Sequence, residues 1–176
     1  MTSTLDASTF LDPAEAADFV GTVLEASTEY SIIGADLDGK ILLWNEGARR
    51  NYGYEAAEVV RKLNSDVLHD PADVAAGLPA AMRAAALADG KWEGAVARRR
   101  QDGSSFKARV VLTPRRNSAG APVGFLLISK DISSEVKLTE ELEATQFYTR
   151  SLIESNIDAL MTTDPLGTIK IGRAHV

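Results

Sequence analysis

Between residues 106 and 113 the chain alternates without a break. Phe106, Ala108, Val110 and Leu112 fall on one phase, and Lys107, Arg109, Val111 and Thr113 fall on the other. A period of two puts each set on its own face of an extended strand, so a core must lie against the first set. Two further strands follow from the flanking turns. Asp102-Gly103 joins the alternating strand to one over 92–100, and Asn117-Ser-Ala-Gly120 leads into a third over 123–128. That last strand is apolar on both phases, so both of its faces need cover. The core supplies one cover, and an N-terminal helix or a partner chain supplies the other.

The first half of the chain supplies a helix, a hairpin and short helices. Asp12 is an N-cap, Pro13 fits the first helical position and Glu15 completes a capping box. Phe19, Val20, Val23 and Leu24 then form one apolar stripe at helical spacing, and the helix is expected to stop near Ser27. Strands are predicted over 30–35 and 40–44, with Asp36-Leu-Asp-Gly39 as their turn. Asn45 caps a short helix that Gly53 ends, and a second short helix follows over 54–60. Gly77 and Pro79 forbid one continuous helix from Pro71, which leaves a helix from about Pro79 to Leu87, closed at Asp89-Gly90.

Composition narrows the chemistry. The 176 residues contain no cysteine and two histidines, His69 and His175. Disulfides, thiolate metal sites and cysteine nucleophiles are thereby excluded, and a His-rich metal site is not expected. Nineteen Lys and Arg against 25 Asp and Glu give a net charge of −6, which argues against nucleic acid as a partner. The Arg98-Arg-Arg100 run is expected to solvate an exposed hairpin face. No apolar run reaches membrane-span length and no signal peptide opens the chain, so a cytoplasmic protein is expected. No residue set at catalytic spacing stands out, so this chain is not expected to be an enzyme.

Toward the C-terminus the order begins again. Leu24, Ser27, Asp36, Gly39 and Ile41 recur 128 positions later as Leu152, Ser155, Asp164, Gly167 and Ile169. Residues 151–170 are therefore expected to open a second, truncated domain. Residues 135–150 are expected to form a coiled-coil-type linker helix. Within 133–155, Leu138, Leu142, Thr145, Thr149 and Leu152 are spaced 4-3-4-3, which fits a coiled-coil seam or a single connecting helix. Residues 171–176, Ile-Gly-Arg-Ala-His-Val, spell one frame of a common sequencing adaptor and are expected to be an artefact of assembly.

Several motifs in order resemble the PAS sensor domain family: Asp38-Gly-Lys-Ile-Leu-Leu-Trp-Asn45, Tyr52-Gly-Tyr54, Trp92-Glu-Gly94, Arg99-Arg-Gln-Asp-Gly-Ser104, Pro122-Val-Gly-Phe125 and Asp131-Ile-Ser133. The likeness covers residues 22–134, behind a flanking helix in 1–21. It implies an α+β PAS fold: a five-stranded antiparallel sheet with short helices on one face, an N-terminal flanking helix and a C-terminal signalling helix. One departure is Arg61, where the family usually has Gly.

The resemblance also implies a function. A sensory and dimerisation module of a cytoplasmic signal-transduction protein is expected, a two-component sensor histidine kinase in the first instance. The alternatives are a diguanylate cyclase, a phosphatase, a transcription regulator or a ligand-free interaction module. Expected partners are a second copy of the chain, a downstream signalling domain and a small-molecule ligand. Asp131, Ile132 and Ser133 would relay the signal into the outgoing helix. The interior expected to form a ligand pocket, or else a filled core, comprises Ile33, Leu43, Met82, Leu87, Val96, Phe106, Val110, Phe125 and Leu127. The cofactor is left unknown. Flavin that forms a cysteine adduct is excluded, and haem is disfavoured because the expected ligand position, near 75–77, carries Ala and Gly. Trp44 and Trp92 fit either ring stacking or core packing, and His69 is expected to pack or to cap a surface turn.

Overall fold

The computed structural model describes residues 12–157, 160–163 and 169–172, with side chains through residue 151. Two units are distinct, 1–133 and 134–176. In the first, α1 (Pro13–Ala26) starts where Asp12 accepts a hydrogen bond from Glu15 N at 2.8 Å, and it ends at Ser27. The hairpin β1 (Tyr30–Ala35) and β2 (Ile41–Trp44) follows. Next come α2 (Glu46–Tyr52), α3 (Ala56–Val59), a 3₁₀ turn (Ser65–Leu68), α4 (Pro71–Ala75) and α5 (Leu78–Asp89). The long strands β3 (Trp92–Arg99), β4 (Ser105–Arg116) and β5 (Pro122–Asp131) complete a five-stranded antiparallel sheet in the order β2-β1-β5-β4-β3.

The break between α4 and α5 has a local cause. Gly77 takes φ 78°, a left-handed conformation that glycine adopts without steric cost, and Pro79 lies in the first turn of the next helix.

Register decides which face each residue takes. Trp44, Ile33, Leu127, Leu112 and Trp92 stand opposite one another across all five strands, and together they form one row of the core face. The short helices cover this face. On the reverse face, Ile32, Ile128 and Val111 form a second row, half-buried. The doubly apolar character of β5 is thus real, and its outer half remains partly accessible. The stripe on α1 stays accessible too, with Phe19, Val20 and Val23 between 42% and 53% exposed.

Asn45 ties α1 to the sheet. Its Nδ2 donates toward Leu24 O, Ser27 O and Tyr30 O, while Oδ1 accepts from Ile32 N and Ala48 N. Gly47 lets this corner close, because a Cβ there would lie 2.0 Å from Tyr30 O. Inside, Tyr52 packs between Trp44 and Phe106, with ring centroids at 5.6 and 5.3 Å, and its hydroxyl meets Ser129 Oγ at 3.2 Å. Trp44 therefore packs in the core.

The second unit consists of α6 (Ser133–Ile157), whose first residue belongs to the first unit, and an antiparallel hairpin of β6 (Leu160–Thr163) and β7 (Ile169–Gly172). Helix, strand and strand recur in the order of the first unit. The hairpin includes Ile171 and Gly172; residues 173–176 lie outside the described residues.

Candidate functional site

Two places on the first unit carry more polar chemistry than packing alone requires. One is the cavity between the core face and the helices. It is small: a water molecule's centre can move through about 20 Å³ of it, room for about one water. Its walls include Ile33, Leu112, Phe125 and Leu127 from the sheet and Pro79 and Met82 from α5. Polar groups enter from Ser65, His69, Arg83 and Arg98.

Arg98 is the decisive member. Along β3, Trp92, Gly94, Val96 and Arg98 share the phase that faces the core, and Arg98 stands opposite Phe106 of β4. Its side chain is 1% exposed. The expected solvating face is thereby corrected: Arg98 is buried, and Arg99 and Arg100 are half-buried. Arg98 Nη1 meets His69 Nε2 inside the domain. His69, expected to pack or to cap a surface turn, packs in the interior.

Burial, with the positive fields of Arg98 and Arg83, pushes the His69 imidazole down to about 3, so it is neutral at physiological pH. Burial also weighs against the charge on Arg98, which the fields of Tyr52 and Asp66 support. Asp66 itself is held by Arg83, at 2.7 Å.

The second place is the end of β5. Asp131 Oδ1 accepts from Ser133 N at 2.9 Å, and Oδ2 accepts from Arg100 Nη2 at 2.8 Å. Burial raises the Asp131 carboxyl, but these bonds and the Arg100 charge outweigh it and hold the group below its ordinary value. Arg100 also donates to Asn51 O on α2, and its guanidinium lies 4.0 Å from the Phe106 ring centre. Ser133 Oγ accepts from Lys107 N at 3.0 Å, and Ile132 N donates to Lys107 O at 2.9 Å. The three relay candidates are therefore brought together, on one clasp that joins β4, β5, α2 and the start of α6.

The nine interior candidates separate. Ile33, Met82, Phe125 and Leu127 line the cavity. Phe106 and Val110 are buried in the core beside it, with Val96 packed against that core. Leu43 and Leu87 are misplaced by the sequence reading. A bulge between Gly34 and Ala35 leaves Leu42 as an extra residue in β2, which turns Leu43 to the outer face opposite Gly34. On α5, Met82 and Ala86 point inward at a four-residue spacing; Leu87 lies one position further around the helix and is 38% exposed. Arg98, His69, Ser65 and Arg83 were missed. Continuing the alternation of Trp92 and Val96 one step further would have found Arg98.

Comparisons with known proteins agree with this architecture. The profile of the PAS fold family matches residues 22–132. Two-component system protein A of Emericella nidulans is 34% identical over 134 residues, which is 76% of this chain and 18% of that protein. The chain thus spans less than a fifth of that relative. Among solved structures, a PAS domain from Colwellia psychrerythraea superposes with a TM-score of 0.62 at 24% identity, covering 68% of this chain and 98% of its own. A domain of a sensory box sensor histidine kinase/response regulator from Geobacter sulfurreducens gives 0.56 at 18% identity, covering 69% and 98%. A family match over most of the chain, joined to a sheet whose order and register follow from the residues themselves, makes this chain a member of the PAS family.

Proposed function

We propose that the chain is the sensory and dimerisation part of a longer two-component signalling protein with a histidine kinase as its output, and that it relays its signal through Asp131, Ile132 and Ser133 into α6. The observation that carries this reading is the clasp. Asp131 bonds both the start of α6 and Arg100, and Arg100 reaches α2 and the Phe106 ring in the core. A repacking of the interior therefore has a short polar route to the outgoing helix. The two-component relative supports the choice of output. In this reading the chain itself performs no catalysis, acts in the cytoplasm and binds no nucleic acid.

A second copy of the chain is the partner. The accessible stripe of α1 and the half-buried row Ile32, Ile128 and Val111 offer apolar surface, and Leu138 and Leu142 of α6 are exposed at seam positions. Sequencing the source transcript past the codon for Lys170 tests the output. Kinase motifs after a completed second PAS domain are expected, with the 171–176 tail absent; a cyclase, phosphatase or DNA-binding domain would overturn the kinase reading. In that longer protein, Asp131→Ala should change kinase output at least several-fold while the PAS domain stays folded.

A further inference from the structure

The two edges of the sheet are finished differently. β2 is four residues long, and Arg61 N and Leu63 O close its outer side by bonding Ile41. β3, at the other edge, is eight residues long, contains no proline and pairs with β4 in unbroken register. At its end Arg100 N donates to Ser104 O at 2.8 Å. Hydrogen-bonded pairs alternate along an antiparallel ladder, so Trp92, Gly94, Val96 and Arg98 turn their backbone groups toward β4. The N–H and C=O groups of Glu93, Ala95, Ala97 and Arg99 point the other way, and among the described residues nothing bonds them.

An open edge of this kind is a template for another strand. The side chains select which one. Glu93, Ala95 and Ala97 are exposed and Arg99 is half-buried, all on the reverse face. Glu93 meets Lys91 at 3.1 Å, whereas Arg99 has no ion pair among the described residues. An anion thus stands near one end of the edge and a cation at the other, with two alanines between them. Laid antiparallel against itself about Val96, the strand sets Glu93 opposite Arg99 of the second copy and Ala95 opposite its Ala97. All four outward residues then fall in hydrogen-bonded pairs, and every open N–H and C=O finds a partner. Sliding one strand by two residues breaks both ion pairs, and in one direction it sets Arg99 opposite Lys91. Lys107 and Arg109 of β4 lie one strand further in, about 14 Å from β4 of the second copy and beyond the screening length at physiological salt.

We propose that β3 is a self-pairing edge, which joins two copies of the chain into one continuous ten-stranded sheet with Glu93–Arg99 ion pairs at both ends of the junction. The partner is the second copy named above. The surface shares no residue with the α1 stripe, the outer row or the α6 seam, and it stands or falls apart from them.

The test uses the whole chain, which has no cysteine of its own. Val96→Cys supplies one thiol. In the proposed register the two Cα atoms are about 4.5 Å apart, within disulfide range, so mild oxidation should give a covalent dimer. Ser118→Cys, in the turn between β4 and β5, should cross-link at least ten-fold more slowly. Adding Glu93→Arg to Val96→Cys should slow cross-linking about ten-fold, and adding Arg99→Glu as well should restore it. Ala97→Pro removes an outward N–H, which an edge strand tolerates, and should abolish the cross-link. Equal rates at 96 and 118, a folded Val96→Cys chain that stays uncross-linked, or a charge reversal that the double swap fails to rescue would each overturn the edge. An extended segment of another protein as the true occupant would give the second of these results. Replacing Leu138 and Leu142 by Asp should leave the cross-link in place, and its loss there would also overturn an independent edge. Self-association that persists without the cross-link would overturn the edge and leave the second-copy reading standing.

Discussion

Arg61 occupies φ 60°, and it is the one non-glycine with positive φ among the described residues. The backbone there has to be left-handed. Arg61 N donates to Ile41 O at 2.7 Å, and Ile41 N donates to Leu63 O at 3.0 Å, so this turn covers the outer edge of β2. A Cβ in that conformation costs about 1 kcal/mol, and glycine avoids it. Arg61→Gly should therefore stabilise the domain by about 0.5–1 kcal/mol and raise Tm by a few degrees, as read by thermal unfolding. Gly47 is the opposite case. Its Cβ would collide with the Tyr30 and Ser27 carbonyls, backbone that is held by Asn45. Gly47→Ala should cost more than about 3 kcal/mol and show as a large loss of denaturation midpoint.

At the scale of elements, the hairpins, caps and helix breaks were legible because each depends on neighbours in sequence. Asp12, Asn45 and Gly53 cap as expected, and β1 spans the residues expected to lead into the Asp36–Gly39 turn. Leu43 and Leu87 were not legible. Leu43 depends on a bulge, an adjustment between two strands that alternation within one strand does not reveal. Leu87 depends on which side of α5 meets the sheet. The charge of Arg98 predicts exposure, whereas its phase in β3 places it in the core; a buried arginine contradicts average burial preferences, and such exceptions mark sites. The α6 helix yields the prediction at this scale. Leu138 and Leu142 sit one turn apart and are both mostly exposed. Replacing both by Asp should weaken self-association of the chain by ten-fold or more in sedimentation experiments, with the sheet signature of the first unit unchanged.

Over the molecule as a whole, acid stability follows from the interior. His69 is neutral in the folded state down to about pH 3, whereas in the unfolded chain it protonates near its ordinary 6.5. Between these values the unfolded state binds the extra proton, so stability is present above about pH 6.5 and is lost as pH falls. Burial of the imidazole sets this first; the charges of Arg98 and Arg83 add to it by opposing a second cation, and Asp66, the nearby anion, is already paired to Arg83. From pH 7 to pH 5 the loss should be about 1–2 kcal/mol.

Glu46 adds a separate window. Hydrogen bonds from Arg49 and Arg50 hold its carboxyl down at about 2, so its contribution is present above the ordinary carboxylate value and fades below it. The Asp131 carboxyl, also held low, acts in the same direction. His69→Asn removes the first window and leaves the second. Its denaturation midpoint should stay nearly level from pH 7 to pH 5 and then fall beside that of the unmodified protein below about pH 4.5. A variant as steep as the unmodified chain between pH 7 and pH 5 would show that the imidazole is not kept neutral by its burial beside Arg98.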